Sequence, residues 1–310
     1  MPQVDHAVVL TNAAAGSADD DVLGQVRSTL TDAGVRVDVH RLGSPEQGGD
    51  GSAVAAVNAL PDLDGAALVL AGGDGTVHAV VHDLFEADLL SDVGPVAVLP
   101  MGTGNDLAGG AGIPDDPVDA ARLVLDGTPQ RRDLLVDDGG GVVVNAVHVG
   151  IGALASQRST PLKSALGPLA YPVGAVLAGS QTEGWPLVVQ VDGETVVDGS
   201  HPLLMVGVAV GSRIGGGTPL APAADPSDGW ADLVVVSAVG PLARVGFARA
   251  LRLGDHGQRD DVLVSRAHRV RIDGCAVPVN ADGEIEPDVQ GRTWTVLPSA
   301  WSLLVPTSSG

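Results

Sequence analysis

Ala66-Ala67-Leu68-Val69-Leu70-Ala71-Gly72-Gly73-Asp74-Gly75-Thr76 is an unbroken apolar run that ends in a glycine-rich loop. Val96-Ala97-Val98-Leu99-Pro100-Met101-Gly102-Thr103-Gly104-Asn105-Asp106-Leu107 repeats the arrangement further along the chain. Short continuous apolar runs bounded by glycine read as strands buried on both faces, the pattern of a parallel sheet covered by helices. Each loop then leaves the carboxyl end of a strand, where open α/β sheets collect their ligands. The ligand this suggests is phosphate, because glycine lets backbone N–H groups approach an anion closely and adopt positive φ, while Thr76 and Thr103 add hydroxyl donors. The candidate phosphate-binding residues are therefore Gly72, Gly73, Asp74, Gly75 and Thr76 in the first loop, and Gly102, Thr103, Gly104 and Asn105 in the second. Taken singly, each loop also reads as an ordinary turn.

Working outward, the first 130 residues alternate strand and helix. Strands are expected at Ala7–Leu10, Val35–His40, Ala66–Ala71 and Val96–Leu99, with helices near Asp19–Asp32, Ser52–Ala59, Thr76–Leu84 and Pro117–Leu125. That is the signature of a doubly wound α/β domain. After Arg131 short alternating runs take over, at Val142–Val149, Leu187–Val191, Thr195–Val197, Leu203–Val210, Leu233–Val236, Val262–Val264, Val270–Ile272 and Thr293–Leu297. Asp192-Gly193 between two of them signals a hairpin. The expected organisation is an α/β domain over 1–130 and a β-rich domain over 131–310, with helical insertions at Ser164–Ala178 and Pro241–Leu253 and the last strand free to return to the first domain.

Composition narrows the function. Aromatic residues make up 2% of the chain, so a core must be built from Val, Leu and Ala. The formal net charge is -21, and Lys163 is the single lysine. At low salt such a surface repels itself, nucleic acid and anionic lipid alike; molar salt shortens the screening length to about 3 Å and removes the repulsion. The balance points to an extreme halophile as source, with an ordinary acidic protein as the alternative. Cys275 is the only cysteine, which excludes an intrachain disulfide and fits a reducing compartment. No secretory signal is read at Met1–His6, so a cytoplasmic location is expected. The weakly polar stretch Gly167–Gly179 is too short to span a bilayer and contains Pro168 and Pro172, so any membrane contact is peripheral.

Two familiar nucleotide signatures are missing. No Gly-x-x-x-x-Gly-Lys-[Ser/Thr] occurs, so the loops must rely on backbone amides, hydroxyls and a magnesium ion. The third glycine of a dinucleotide fingerprint is replaced by Leu107, which argues against a dehydrogenase. Asp74 is the acid expected to hold Mg2+, directly or through water, since a carboxylate beside phosphates is repelled unless a cation intervenes; a turn-forming role before Gly75 is the alternative. Asp106 and Asn105 read as caps of a following helix. Asp282-Gly283-Glu284 offers a carboxylate as base for an attacking hydroxyl, or simply a hairpin turn.

The two loops together, Gly72-Gly73-Asp74-Gly75-Thr76 and Gly102-Thr103-Gly104-Asn105-Asp106-Leu107-Ala108, resemble the diacylglycerol kinase catalytic-domain family, which includes sphingosine, ceramide and bacterial diacylglycerol kinases. Further matches are Asn12–Gly16, Arg132-Asp133-Leu134, Val149-Gly150-Ile151-Gly152, Leu166–Tyr171, Ala221-Pro222, Asp228-Gly229 and Asp282-Gly283-Glu284, so the resemblance spans nearly the whole chain. It implies a nucleotide-binding α/β domain followed by a β-sandwich, with ATP in the cleft, and an ATP- and Mg2+-dependent transfer to a lipid alcohol of the diacylglycerol type. In a halophilic archaeon the acceptor would be an ether-linked isoprenoid glycerol. The same resemblance implies nucleotide contacts at Asn12 and Gly16, an acid at Asp133 that joins Asp74 in a polar network, and Glu284 as proton acceptor with Asp282 in support. It also implies a separate magnesium site at Asp225, Asp228 and the backbone of Trp230.

Four departures from the family pattern are visible. Ala13 stands where a proline normally follows the asparagine, and no threonine is evident among His40-Arg41-Leu42-Gly43. His78 stands where asparagine is common, and Gly109-Gly110 where an arginine often follows. Arg158, Lys163 and Tyr171 frame an apolar stretch that suits either an acyl chain or a plain core helix. The rival readings are an NAD kinase-like enzyme and a non-catalytic nucleotide-binding regulator. The expected partners are ATP and a lipid alcohol, with no nucleic acid; the oligomeric state stays open, a homodimer among the outcomes.

Overall fold

The computed structural model describes residues 4–12, 17–43, 49, 51–60, 66–153, 183–237 and 239–307. Gly16 and the Arg158, Lys163, Tyr171 stretch lie outside them, as does the helical insertion expected at Ser164–Ala178. Two compact units divide the chain, one made of Met1–Arg132 with Ser299–Gly310 and the other of Asp133–Pro298.

The first unit alternates β1 (His6–Asn12), α1 (Ser17–Asp32), β2 (Arg36–Leu42), α2 (Ala53–Asn58), β3 (Ala66–Gly72), α3 (Asp74–Glu86) and β4 (Val96–Pro100). Three short helices follow, α4 (Asp106–Gly110), α5 (Pro117–Ala121) and α6 (Leu123–Asp126). The strands lie in the order β2-β1-β3-β4 and are parallel throughout, with Val8 opposite both Asp38 and Leu68, and Leu70 opposite Val98. β1, β3 and β4 are buried along nearly their whole length, which is why they read as continuous apolar runs. α3 buries Val77, Val80, Val81 and Leu84. Local signals fix the helix starts: Asp19 and Asp20 sit in the first turn of α1, Ser52 caps α2 by accepting from the Ala55 N–H, and Asp116 caps α5 ahead of Pro117. The expected helix at Pro117–Leu125 is instead two short helices meeting at Arg122. α3 begins at Asp74 rather than Thr76, so half of the first glycine loop is already helix.

The second unit is the expected β-sandwich. It comprises β5 (Thr128–Asp137, entering from the first unit), β6 (Val142–Val143), β7 (Ala146–Gly150), β8 (Trp185–Val191), β9 (Glu194–Leu203), β10 (Met205–Ala209) and β11 (Ala231–Val236). α7 (Pro241–Leu253) and a 3₁₀ turn at His256–Gln258 precede β12 (Val262–Ala267), β13 (Arg269–Ala281) and β14 (Glu284–Val305), whose residues from Ser299 onward belong to the first unit. β13 makes the sandwich possible. Its carboxyl end pairs with β7 at Val279–Ala281, its amino end pairs with β8 at Val270–Gly274, and the register shifts between Asp273 and Val277. A bulge of that kind bends a strand, and here the strand pairs with β8 before the shift and with β7 after it. Trp294, Val149, Val189 and Val270 lie in the core cluster that results. The Asp192-Gly193 hairpin is present, with φ of 50° and 93°. Among the described residues no helix is long and apolar enough to cross a membrane.

Candidate functional site

In the first unit the two glycine loops meet backbone to backbone. β3 and β4 are adjacent, with Gly72 opposite Pro100, and the Met101 N–H donates to the Gly72 carbonyl at 3.0 Å. A Cβ added to Gly102 would lie 2.4 Å from the Gly73 Cα, and one added to Gly73 would lie 2.9 Å from the Gly102 Cα. Only a glycine pair allows this approach. Thr76 folds over Gly72, where a Cβ would meet Thr76 Oγ1 at 2.4 Å. The second loop closes on itself through Asn105, which accepts from the Gly102 N–H at 3.0 Å and donates from Nδ2 to the Gly102 carbonyl at 2.9 Å. Asn105 holds φ of 51°, a left-handed conformation that asparagine tolerates better than most residues.

Asp74 joins the two loops. Its Oδ2 accepts from the Asp106 N–H at 3.1 Å and its Oδ1 from the Leu107 N–H at 3.2 Å, so a side chain from the first turn of α3 caps α4. α3 itself starts at Gly73 with no side-chain cap, and the one acid of its first turn, Asp74, turns its oxygens to α4. Gly75, Gly102, Thr103 and Gly104 are solvent-exposed beside it. Exposed glycine backbone next to a helix start, with the Thr103 hydroxyl beside it, suits an anion. Asp74 fits a role toward magnesium in which its oxygens keep their second lone pairs for water, since each already accepts one N–H. Asn12 ends β1 opposite Leu42 and is exposed; Arg41 pairs with Asp20 at 2.6 Å.

In the second unit, Asp282 and Gly283 form the two-residue turn between β13 and β14, with φ of 48° and 103°. The Gly283 N–H donates to Asn280 Oδ1 at 2.8 Å. The Asp282 carboxylate accepts three backbone N–H groups, from Val144 at 2.5 Å, Asn145 at 3.0 Å and Ala146 at 3.1 Å. It is thereby the anchor for the start of β7. Glu284 follows on the exposed first position of β14. The hairpin reading and the chemical reading of this tripeptide therefore describe different residues, with Asp282 and Gly283 making the turn and Glu284 presented by it. Behind the turn lies His148, which sequence reasoning missed. It is buried in β7 with no hydrogen-bond partner for Nδ1, and burial pushes its pKa down to about 4 against the opposing pull of Asp282. The only signal in the sequence was a single polar residue within the apolar run Ala146–Val149.

Asp133 is 1% exposed; it accepts from the Gly229 N–H at 2.7 Å and its own N–H donates to the Pro226 carbonyl at 2.8 Å. It holds the loop that carries Asp225, Asp228 and Trp230. Asp225 accepts from both N–H and Oγ of Ser227, while Asp228 accepts from the Trp230 N–H at 3.0 Å and pairs with Arg266. Trp230 stacks on His268 with centroids 3.7 Å apart and lies under the Arg266 guanidinium at 5.4 Å. A divalent cation at this loop and the Arg266 guanidinium compete for the same carboxylate, so these donors fit a metal poorly while the pair is formed. Among the described residues no three His, Cys, Asp or Glu side chains gather into a metal-binding group.

These features agree with what the chain is similar to. Residues 6–136 match the model of the diacylglycerol kinase catalytic domain, and residues 145–305 match that of the YegS C-terminal NAD kinase beta sandwich-like domain. A protein of Chromohalobacter salexigens named "Probable lipid kinase YegS-like" is 34% identical over a stretch covering 61% of this chain and 59% of the relative. One of the same name from Stenotrophomonas maltophilia is 30% identical, covering 74% of each chain. The crystal structure of a diacylglycerol kinase from Bacillus anthracis superposes with a TM-score of 0.76 at 20% identity, over 97% of both chains, which establishes likeness of fold. With both units accounted for by matching domains, the chain belongs to the diacylglycerol kinase catalytic-domain family, in its YegS-like, lipid-kinase branch.

Proposed function

We propose that this protein transfers the γ-phosphoryl group of ATP to the hydroxyl of a lipid alcohol, a diacylglycerol-type lipid with acyl or ether-linked isoprenoid chains. The observation that carries the reading is the contact of Gly73 with Gly102, clasped by Asp74, because it builds an anion cradle from backbone alone in a chain with one lysine. The two loops bind and orient the phosphates, with Thr76 and Thr103 as hydroxyl donors and Asn12 and Gly16 toward the nucleoside. Magnesium, when bound, neutralises charge on the phosphates. Asp74, which holds the amino end of α4 in place, would be the residue that holds that ion.

In the transfer, the lipid hydroxyl oxygen forms the new bond to the γ-phosphorus as the bond to ADP breaks. Glu284 accepts the hydroxyl proton and returns it to solvent. Asp282 acts as a positioning residue, since the turn it anchors fixes where Glu284 starts. Asp225, Asp228 and Trp230 are assigned a second magnesium, which would require Arg266 to release Asp228.

The experiment is ATP turnover in molar KCl with diacylglycerol in mixed micelles, with NAD, and with no acceptor. Lipid-dependent ADP release is expected; turnover with NAD alone refutes the acceptor assignment. Binding without turnover in any arm refutes the enzyme. Glu284→Gln is expected to leave ATP affinity intact and lower turnover on the order of 10²- to 10⁴-fold, nearer the lower figure because a loose transition state needs little help from a base. Asp74→Asn is expected to impair metal-dependent ATP binding as well. Full activity of Glu284→Gln on lipid would remove that residue from the mechanism.

A further inference from the structure

α7 is apolar on two opposite sides. Its inner side packs against the second unit, with Phe247 buried in a cluster with Ile214, Leu220 and Val262, and Ala243 and Leu251 leaning on it. Its outer side carries Leu242, Val245 and Leu253, which are 88%, 61% and 65% exposed. At 3.6 residues per turn these three, with Arg249 and Arg252, occupy roughly a 100° arc.

Charge separates this helix from the rest of the chain. Pro241–Leu253 contains Arg244, Arg249 and Arg252 and no acid, within a protein of net charge -21. The described ion pairs of this unit involve Arg259, Arg266, Arg271 and Arg292, so the exposed Arg249 and Arg252 keep their charge for an outside partner. Exposed leucine and valine flanked by arginines form the pattern of a helix lying in a bilayer interface: the apolar side chains enter the acyl boundary while arginine stems lie along it and their heads reach lipid phosphates. A second copy of the chain would bring the same arginines into opposition.

We infer that the outer face of α7 docks the protein on an anionic lipid bilayer. The inference rests on the lipid-kinase reading for why a bilayer is the occupant, and it adds the surface through which the enzyme would reach a substrate that does not leave the membrane. Because α7 is already folded against the sandwich, docking requires no ordering of chain.

The test is flotation of the full-length protein with phosphatidylglycerol-containing and with purely zwitterionic vesicles, in the molar salt that keeps it folded, where a screening length of about 3 Å removes the long-range repulsion between the -21 surface and anionic lipid but leaves direct guanidinium–phosphate contact. Wild type is expected to float with the anionic vesicles. The pair Leu242→Asp/Val245→Asp and the pair Arg249→Glu/Arg252→Glu are each expected to lose vesicle binding on the order of 10-fold or more while retaining the wild-type circular dichroism spectrum. Their turnover of vesicle-embedded diacylglycerol falls with binding, and turnover of a short-chain, monomerically dispersed diacylglycerol stays at the wild-type level. Wild-type protein that does not bind, or variants that bind equally well, would overturn the inference. So would sedimentation showing a dimer that the variants dissociate. Vesicle binding that the variants lose, in a protein that phosphorylates no lipid, supports the docking face and removes the proposed reaction.

Discussion

Replacing Asp282 by alanine removes the acceptor of three backbone N–H groups at once. Val144 and Ala146 are 5% and 3% exposed, so bulk water does not replace the lost oxygen at their amides, whereas the Asn145 amide lies closer to solvent. An orphaned buried donor costs about 1–3 kcal/mol, and two of them with a partly hydrated third give a loss on the order of 4 kcal/mol, a large part of a typical domain's stability. Asp282→Asn keeps the left-handed turn conformation and one acceptor oxygen, so a loss of about 1–2 kcal/mol is expected. Guanidinium unfolding followed by circular dichroism measures the difference, and amide hydrogen exchange localises it, since protection of residues 144–146 should fall well before that of β10 and β11. Glu284→Gln serves as the contrast and should unfold like the wild type. An Asp282→Ala protein within about 0.5 kcal/mol of wild type, with residues 144–146 still protected, would refute the anchoring role.

The remaining predictions concern the cradle, the buried histidine and the surface. Gly102→Ala places a Cβ 2.4 Å from the Gly73 Cα and should abolish ATP binding by calorimetry, at a stability cost of about 1–3 kcal/mol from forced backbone movement. Gly75→Ala meets nothing within 4 Å in the first turn of α3, so it should raise stability by about 0.5–1 kcal/mol while weakening ATP binding if phosphate lies against that turn. His148 is neutral in the fold down to a pKa of about 4 and protonates near 6.5 once unfolded. Its contribution to stability is complete above pH 6.5 and is lost as the pH falls toward 4, by about 2 kcal/mol between pH 7 and pH 5. A His148→Leu protein should lack that slope, and an unchanged slope counts against the assignment. The melting temperature should rise steeply from 0.1 M to about 2 M KCl as screening relieves the self-repulsion of a -21 chain, and a flat profile would contradict this.

What was legible in the sequence was whatever is decided locally. β3 and β4 announced themselves because strands buried on both faces leave no polar residue to blur the run, and Asp192-Gly193 because few dipeptides take its paired left-handed conformations. Long-range partners were not legible. Asp74 was singled out as an acid beside phosphates, yet nothing near it announced that Asp106 and Leu107, thirty-two and thirty-three residues away, would donate to it. Asp282 read as a turn former, while its three donors lie more than 130 residues earlier. The domain boundary was read at 130/131, inside what is β5; the strand runs through it by pairing with β14, far along the chain.

β14 begins at the hairpin after Gly283 and ends inside the other unit, where Leu303 pairs with Val96 and Trp301, Leu303 and Leu304 are buried. During synthesis, therefore, the parallel sheet cannot be completed when its own helices and strands have emerged, because its last strand is encoded after the whole of Asp133–Pro298. At ~5–20 residues per second the wait is on the order of ten to thirty seconds. Throughout it β4, apolar along its length, is an open edge able to pair with any passing strand. The nascent chain is most exposed to misassembly in that interval, and a ribosome stalled before Ser299 would release the part that carries both glycine loops with that edge uncovered.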